Sequence, residues 1–368
     1  MQQQAVLIVA QSGRFLAQLA HSAGYLVWVA DCFGDQDTLA LAERWLPLSN
    51  LHDHAAVTKT LLDLSQNQPC SLLYGSGIEA FYPILKSLPD TVRLVGNPAD
   101  IIEQVKTPHL FFSLLQRLAI PYPKISFIAD DSRSGRWLRK PINSFGGQFI
   151  TDSDKQSDSQ GAYFQQYIEG DSGSALFLAD GQSAQLYSFN QQFSSHTDSG
   201  SPFLLSGLST PLAIPVSVQQ KINVFINQLV VQTGLLGFNS LDFIITSENE
   251  IFVLEINPRL SASAQLIDST IPLFENHLAA CTSQSAKKYQ NPVIQRHLHT
   301  IFAPFDAVMP EFIEWPSYCH DHPQPNTLIK KNAPICSVVI ETSLSFEQSE
   351  SEAQQSIFSL LELSENDN

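Results

Sequence analysis

Basic residues are scarce in this sequence. Its 368 residues include 20 Lys and Arg against 36 Asp and Glu, which gives a formal net charge of −16 at pH 7. Nucleic-acid binding needs clustered basic side chains that neutralise phosphates. The charge balance therefore argues against a nucleic-acid partner, although a small anionic ligand could still bind in a local positive site.

Cysteines and long apolar runs are also few. The five cysteines are odd in number and are not spaced as a metal knuckle, which is typical of a reducing cytoplasm rather than of a disulfide scaffold. No stretch approaches the roughly 20 apolar residues of a membrane helix, and the start, MQQQAVLIVAQSGR, lacks the basic region of a signal peptide. We therefore expect a cytoplasmic protein with no membrane partner.

The first hundred residues alternate between strand and helix patterns. AVLIVA (5–10) and YLVWVAD (25–31) are short apolar runs typical of buried parallel strands, and SGRFLAQLAHSAG between them has apolar residues at helical spacing. The G-x-G-x-x-G nucleotide fingerprint is absent, because only Gly13 stands in the first turn. The pattern predicts a small Rossmann-like domain without a dinucleotide site.

A helix and then a strand-rich region are predicted next. Pro98 is expected to begin a helix that runs to about Leu118. After Pro121 the pattern becomes α+β, with several hairpin breaks and one amphipathic helix at 216–234 that stops at Gly234. Strand patterns and a final helix are expected after about residue 290.

Two of these strands, FNSLDFIIT and EIFVLEINP, form a predicted hairpin with unusual polar residues. Alternate residues of a strand share a face, so Glu255, Asn257 and Arg259 point the same way if the strand continues, and Asp242 lies on the partner strand. Asp242, Glu255 and Asn257 could converge on Mg²⁺, which prefers oxygen ligands. Arg259 offers a planar fork for a carboxylate or phosphoryl group. By itself, the pattern is equally consistent with the exposed face of an ordinary hairpin.

Upstream segments add groups that suit a nucleotide. KPINSFGGQF (140–149) places Lys140 before a glycine loop, and glycine lets backbone N–H groups approach phosphate oxygens. Lys106 lies in the predicted helix, and YFQQYIEG (163–170) ends a strand where amide and apolar groups could line an adenine ring. The alternatives are a plain hairpin turn for the glycine loop and a solvated helix residue for Lys106.

In order and spacing, this set of motifs resembles the ATP-grasp superfamily. The match runs through Lys106, RKPINSFGG, FQQYIEG, SLDF and EINPR, over roughly residues 5–275. GRFLAQLAHSAGYLVWVAD and YGSGIE are similar to the opening domain of purine-biosynthetic carboxylases and biotin carboxylase. The tail segment IKKNAPICSVVIE is similar to predicted ATP-dependent carboligases related to biotin carboxylase.

The resemblance implies an α/β and α+β chain with the ATP-grasp fold. A Rossmann-like pre-ATP-grasp domain would occupy 1–100, and the ATP-grasp domain 101–288, including a mobile lid at about 122–168. A small β-rich domain that closes with a helix would occupy 289–368.

The resemblance also implies roles for single residues. Asp242, Glu255 and Asn257 would hold Mg²⁺, with Mn²⁺ as an alternative, while the catalytic residues Arg259 and Lys140 would act on the acceptor carboxylate, the acyl-phosphate and the nucleotide phosphates. The implied ATP contacts are Lys106, Lys140, Gly146, Gly147, Gln165, Gln166, Tyr167, Ile168 and, near the ribose, Asp171.

The implied activity is that of an ADP-forming carboxylate–amine ligase acting through an acyl-phosphate, with small-molecule carboxylate and amine substrates. Ligation of an amino acid such as glutamate in cofactor biosynthesis is one candidate reaction. Glu79 would bind substrate or help to take the proton of the amine; the alternative is an acid at a helix N-terminus that complements the helix dipole. The alternatives are a biotin- or purine-type carboxylase using bicarbonate and a non-catalytic nucleotide-binding regulatory protein. Related enzymes are commonly dimers, so we expect a homodimer.

Overall fold

The computed structural model describes residues 4–128, 134–142, 146–153, 159–194, 202–282 and 294–361. A parallel five-stranded sheet forms the N-terminal region. Its strands are β1 (Ala5–Val9), β2 (Leu26–Asp31), β3 (Arg44–Pro47), β4 (Cys70–Tyr74) and β5 (Val92–Leu94). They lie in the order β3-β2-β1-β4-β5. The chain therefore adds β2 and β3 on one side of β1 and then β4 and β5 on the other side, as in a doubly wound fold.

Helices cover this sheet. They are α1 (Arg14–Ser22), α2 (Gln36–Leu41), α3 (His54–Ser65) and the short α4 (Ile78–Phe81), which a 3₁₀ turn (Tyr82–Ser87) follows. Strand β1 is buried on both faces: Leu7 and Val9 belong to the core under α3, whereas Val6 and Ile8 pack in a cluster that also contains Phe238. The second face of β1 therefore joins the N-terminal region to the following one.

The predicted helix from Pro98 to about Leu118 is broken in two. Helix α5 spans Ala99–Lys106 and α6 spans Pro108–Arg117, with Thr107 between them at φ −80 and ψ 114. Proline has no N–H to donate and keeps the residue before it out of the helical region. The prediction of one continuous helix is therefore wrong, and Pro108 makes Lys106 the last residue of α5.

A small antiparallel sheet follows, within the region predicted to be a lid. It is made of β6 (Ile125–Ser126), β7 (Trp137–Pro141), β8 (Thr151–Asp152) and β9 (Ala162–Gln166), in the order β6-β9-β7-β8.

The largest sheet has eight strands and joins the central and C-terminal parts of the chain. Its strands are β10 (Asp171–Asp180), β11 (Ala184–Ser194), β12 (Leu205–Thr210), β13 (Leu236–Ile245), β14 (Ile251–Asn257), β15 (Arg296–Phe302), β17 (Cys319–His320) and β19 (Pro334–Glu341). They lie in the order β14-β13-β10-β11-β12-β15-β19-β17. Because β12 pairs with β15, with Gly207 opposite His299, the C-terminal strands continue the central sheet.

The remaining elements close the fold around this sheet. Helix α7 (Val216–Thr233) ends at Gly234, as predicted, because Gly234 adopts a left-handed φ of 75° that glycine tolerates. The others are a 3₁₀ turn (Ala262–Leu266), α8 (Leu273–Cys281), the strand pair β16 (Ala307–Val308) and β18 (Leu328–Ile329), and α9 (Phe346–Leu360). The predicted fold class is confirmed: a parallel α/β sheet precedes antiparallel α+β sheets.

Candidate active site

One cleft of about 800 Å³ runs between the large sheet, the small antiparallel sheet and the N-terminal loops. Its volume lies within the range of about 300–1,000 Å³ that is usual for small-molecule sites. The cleft wall includes every residue of the sequence-derived site except Glu79. These wall residues are Lys106, Lys140, Gly146, Gly147, Gln165, Gln166, Tyr167, Ile168, Asp171, Asp242, Glu255, Asn257 and Arg259.

The β13–β14 hairpin aligns three oxygen-bearing side chains. Asp242 lies opposite Glu255 in the antiparallel register, and Ser240 lies opposite Asn257. The Asn257 Nδ2 atom donates to Asp242 Oδ2 at 3.0 Å. The second oxygen of Asp242, Oδ1, is buried and has no hydrogen bond of ordinary geometry among the described residues, although the Gln192 side chain lies close enough to lower the pKa of this carboxyl. A buried, unsatisfied carboxylate oxygen is costly, and it is a natural ligand for a hard cation.

Strand β14 is too short to include Arg259, so the strand alternation predicted for Glu255, Asn257 and Arg259 ends at Asn257. Strand β14 ends at Asn257, Pro258 follows, and the backbone N–H of Arg259 donates to the Asn257 carbonyl at 2.9 Å. Arg259 nevertheless lines the same cleft, because this turn keeps it beside the strand end.

Charge in the hairpin is distributed unevenly. Burial, and then the negative charge of Glu255, raise the pKa of Asp242 to about 7. For Glu255, burial acts to raise the pKa, but the positive charges of Lys106, Lys140 and Arg259 outweigh it and lower the pKa to about 2. The neighbouring cations therefore favour the ionised form of Glu255, whereas burial favours the protonated form of Asp242.

Lys106 lies against Glu255 at the end of α5. Its Nζ atom is 2.8 Å from Glu255 Oε2 and 3.8 Å from Glu79 Oε1. Burial acts to lower the pKa of Lys106, but the charges of Glu255 and Glu79 raise it above its usual value. The chain break at Pro108 therefore positions a buried, charged ammonium group beside the predicted metal ligands.

Glu79 is buried behind the cleft wall. Its side chain is 0% exposed, and its Oε1 atom lies 3.4 Å from Arg259 Nε and 3.8 Å from Lys106 Nζ. The helix that carries it, α4, has four residues and begins after Gly77 at φ 90°. Its carboxylate therefore faces two cations, and this long-range contact goes beyond a local interaction with a helix dipole.

Lys140 and the hinge segment form the opposite wall. Lys140, on β7, donates from Nζ to Gln165 Oε1 at 3.2 Å. Farther along, the backbone N–H of Gln166 donates to the Lys124 carbonyl at 2.8 Å, and that of Tyr167 donates to the Arg136 carbonyl at 2.9 Å. These two amides are therefore committed to the small sheet.

The glycine loop lies against the segment that leads into β12. Gly146 and Gly147 have φ values of 64° and 76°, in the left-handed region, and the Leu205 N–H donates to the Gly146 carbonyl at 3.1 Å. A Cβ atom on Gly147 would lie 1.8 Å from the Phe203 carbonyl oxygen. The rest of the predicted loop, Asn143–Phe145, lies outside the described residues.

Several cleft residues were not found from the sequence. Ser172 on β10 donates to Gln192 Oε1 on β11 at 2.8 Å, on the wall between the hinge and Asp242. Arg14 and Asp321 form an ion pair at the far end of the cleft, with Nε 3.0 Å from Oδ1. Arg14 directly follows Gly13 at a strand-to-helix turn, which is a usable signal. Ser172, Gln192 and Asp321 belong to no local sequence pattern that would have predicted their place in the cleft.

The described residues show neither a cluster of metal-ligating side chains nor a membrane-spanning helix. They contain no cluster of three or more His, Cys, Asp or Glu side chains spaced to hold a metal ion, so the two carboxylates and one amide of the hairpin stand as the candidate set. Across the described ranges, no helix has both the length and the apolar character needed to span a bilayer.

Comparison with known proteins identifies the domain. The ATP-grasp domain family matches residues 109–263, a range that includes Lys140, the hinge, the hairpin and Arg259. The match to the ATP-grasp domain model confirms, over this range, the resemblance drawn from the motifs. A comparison with curated protein sequences found no match.

Solved structures resemble the chain over nearly its full length. An L-amino acid ligase from Bacillus licheniformis matches with a TM-score of 0.71 and 14% identity, covering 98% of both chains. N5-carboxyaminoimidazole synthetase from Staphylococcus aureus, complexed with ADP, matches with a TM-score of 0.69 and 16% identity, covering 96% of both chains. A biotin carboxylase–βγ-ATP complex from Campylobacter jejuni has a TM-score of 0.71 and 11% identity, covering 92% of this chain and 87% of that one. At these identities the similarity establishes a shared fold.

Proposed function

We propose that this protein is an ATP-dependent, ADP-forming ligase that joins a small-molecule carboxylate to an amine through an acyl-phosphate. One observation carries the proposal: a single cleft combines Lys140 and Lys106 with the oxygen set of Asp242, Glu255 and Asn257 and with the fork of Arg259. Phosphoryl transfer depends on positioning and charge stabilisation, which such a set supplies.

The hairpin suits a divalent cation. The unsatisfied Oδ1 atom of Asp242, the ionised Glu255 carboxylate and the Asn257 amide present the hard oxygen ligands that Mg²⁺ or Mn²⁺ takes. When bound, the ion would offset the charge that develops on the transferred phosphoryl group. Lys106 and Lys140 are assigned to the same phosphates, and Gly146 and Gly147 to the backbone that covers them.

The hinge is assigned to adenine. The N–H groups of Gln166 and Tyr167 are already donated to backbone carbonyls. The Ile168 N–H has no backbone partner among the described residues, so it is the hinge amide left for a ring nitrogen. The Nε2 atom of Gln165 is buried without a partner in the described part of the chain, and Asp171 is the cleft acid nearest in sequence to the hinge for a ribose hydroxyl.

The reaction follows from these positions. An oxygen of the substrate carboxylate attacks the γ-phosphorus, the bond from γ-phosphorus to the bridging oxygen breaks, and ADP leaves. The amine nitrogen then attacks the acyl carbon, inorganic phosphate leaves, and the nitrogen loses a proton to give an amide. Arg259 holds the carboxylate and then the acyl-phosphate, while Glu79 fixes the orientation of Arg259. Exclusion of water matters, because acyl-phosphates hydrolyse readily.

Two alternatives share this cleft. In a carboxylase, bicarbonate would take the place of the substrate carboxylate, and the fold is shared with N5-carboxyaminoimidazole synthetase and biotin carboxylase. In a non-catalytic regulatory protein, nucleotide would bind without turnover. A homodimer and a cytoplasmic location remain predictions alongside the ligase.

ADP release tests these possibilities. The protein would be incubated with Mg-ATP and paired panels of carboxylates and amines, with bicarbonate as a separate arm, and products would be identified by mass spectrometry. The ligase predicts ADP release that needs both a carboxylate and an amine. Release with bicarbonate and no other carboxylate would establish the carboxylase, whereas nucleotide binding without release under every condition would establish the regulatory protein.

A matched pair of variants locates the activity. Glu255→Gln removes an ionised cleft carboxylate, whereas Glu250→Gln changes an exposed residue at the turn of the same hairpin. We expect Glu255→Gln to lower turnover on the order of 100-fold through lost cation binding, with Glu250→Gln unchanged. Equal turnover in both variants would contradict the assignment of the hairpin as the metal site.

A further inference from the structure

Part of the cleft wall is formed where the N-terminal loops meet the C-terminal strands, and we call this part the second compartment. Ser12 and Phe15 enter it from the start of α1, and Phe33 enters it from the loop after β2. Phe302 on β15 and Pro334 on β19 enter from the other side. Phe302 and Pro334 are paired directly across the two strands.

Free positive charge is absent from the described lining of this compartment. The described cleft wall holds four cations, of which Lys106, Lys140 and Arg259 stand at the phosphate end. The fourth, Arg14, is 2% exposed, and Asp321 neutralises it: Nε lies 3.0 Å from Oδ1, and a terminal nitrogen lies 3.2 Å from Oδ2. Gln265 accepts from the same terminal nitrogen, and Gln18 accepts from the other one at 3.1 Å.

The Arg14–Asp321 pair is fixed in place, so the guanidinium cannot be redirected to a ligand at low cost. The backbone N–H of Asp321 donates to Asp37 Oδ2 at 2.9 Å, and the Ser337 hydroxyl donates to Asp321 Oδ2. Burial acts to raise the pKa of Asp321, but Arg14 outweighs it and holds the pKa below the usual value. Arg and Lys are the strongest side-chain donors to a phosphate group, and the described wall of this compartment offers none that is free to pair with it.

Apolar surface takes the place of charge. The Phe33 side chain is 49% exposed. Its loop is nevertheless fixed, because the carbonyl of the next residue, Gly34, accepts a hydrogen bond from Gln324 Nε2 at 2.6 Å. Thr300 and Phe302 alternate on β15 and line the cleft, while Ile301 between them is buried in the C-terminal core. Aromatic rings held on rigid elements provide a preformed surface for an apolar or aromatic group.

We infer that this compartment is the site of the amine substrate, and that this amine has an apolar or aromatic body and no phosphate group. The inference rests on the ligase function proposed above. It places the amine nitrogen toward Arg259, where the acyl-phosphate forms, and the apolar body between Phe15, Phe33 and Phe302.

A comparison of three amines tests the inference. ADP release would be measured with Mg-ATP, an accepted carboxylate, and 2-phenylethylamine, ethanolamine or O-phosphoethanolamine. We expect the KM for 2-phenylethylamine to be lower than that of the other two by roughly tenfold or more, since burying a phenyl ring is strongly favourable. A lower KM for O-phosphoethanolamine, or equal values for all three, would overturn the inference and leave the ligase function standing.

Variants of Phe33 locate the effect. Phe33→Ala should raise the KM for 2-phenylethylamine by roughly fivefold to 20-fold with the KM for ATP unchanged. Phe33→Lys should lower the KM for O-phosphoethanolamine, because it adds the missing cation. Phe312→Ala, at a residue that is 87% exposed and outside the cleft wall, is the matched control. Equal effects of Phe33→Ala and Phe312→Ala would overturn the inference, whereas no ADP release from the unmodified protein with any amine would overturn the ligase function itself.

Discussion

Arg14 and Asp321 form an ion pair between residues 307 positions apart, with Arg14 Nε 3.0 Å from Asp321 Oδ1. Arg14 begins the first helix, Asp321 follows strand β17, and Gln265, which accepts from Arg14, lies in the 3₁₀ turn after the hairpin. One buried guanidinium therefore connects the N-terminal sheet, the ATP-grasp region and the C-terminal strands at the edge of the cleft.

Removing the carboxylate of this pair should destabilise the protein. Asp321→Ala leaves the Arg14 guanidinium, whose side chain is 3% exposed, with only a longer ion pair to Asp37 Oδ2 at 3.9 Å. We expect a loss of about 3 kcal/mol in the free energy of unfolding, measured by urea denaturation. The control is Lys330→Ala, which breaks an exposed pair with Asp306 and should have a much smaller effect. Equal losses in the two variants would show that Arg14 finds another partner.

Asp35 should make stability fall as the pH rises. Burial, and then the charges of Asp321, Asp37 and Asp31, raise its pKa from 3.8 to about 8, against the opposing effect of Arg14. An acid whose pKa is higher in the folded state binds more protons when folded, so the free energy of unfolding decreases between pH 4 and pH 8. Asp35→Asn removes this titrating carboxyl group. We therefore expect the substitution to increase the free energy of unfolding by about 2 kcal/mol at pH 8 and by little at pH 4.

The measurement is denaturation of both proteins across that pH range. Asn serves as well as Asp at the start of a helix, so α2 keeps its N-terminal residue type. Asp53→Asn, the same substitution at the exposed start of α3, is the matched control. A parallel shift of the whole Asp35→Asn profile, without a change in slope, would contradict the assigned titration.

Glu79 is predicted to position Arg259 rather than to touch substrate. Glu79→Gln removes a buried negative charge 3.4 Å from Arg259 Nε. We expect kcat/KM for the carboxylate to fall by roughly tenfold to 100-fold, because a small misplacement of a positioning group is costly, while the KM for ATP changes little. Restoration of the rate by Glu79→Asp would support a charge-dependent role.

Steady-state kinetics with each substrate varied in turn would separate these effects. Glu103→Gln is the control, because Glu103 lies on α5 and forms an exposed pair with Lys86. If Glu79→Gln raised only the KM for ATP, Glu79 would instead position Lys106, which is assigned to the phosphates.

The two loop glycines offer a steric comparison. Both have a left-handed φ, so replacement by Ala strains each backbone by about 1 kcal/mol. A Cβ atom on Gly147 would meet the Phe203 carbonyl oxygen at 1.8 Å, whereas one on Gly146 would meet nothing within 4 Å. We expect Gly147→Ala to raise the KM for ATP by about tenfold, since the loop must move, and Gly146→Ala to have a much smaller effect. Calorimetric ATP binding would check this order, and a larger effect at Gly146 would contradict the observed packing.

Local chemistry made part of the site predictable. The alternation of β14 places Glu255 and Asn257 on one face, and the register of a tight hairpin brings Asp242 opposite Glu255. Lys140 before a glycine loop and Gly234 at the end of α7 are likewise short-range signals. The one clear error, a helix continuing through Pro108, came from following apolar periodicity past a local breaker.

The sequence by itself determined the elements, the polar face of the hairpin and the order of the ATP-grasp motifs, because these depend on spacings of a few residues. The tertiary structure decided which charges meet: Lys106 with Glu255, Glu79 with Arg259, and Arg14 with Asp321. The residues of the first pair are 149 positions apart in the sequence, and those of the last pair are 307 positions apart. Such pairs depend on how sheets and helices pack, and no local pattern of the chain encodes that packing.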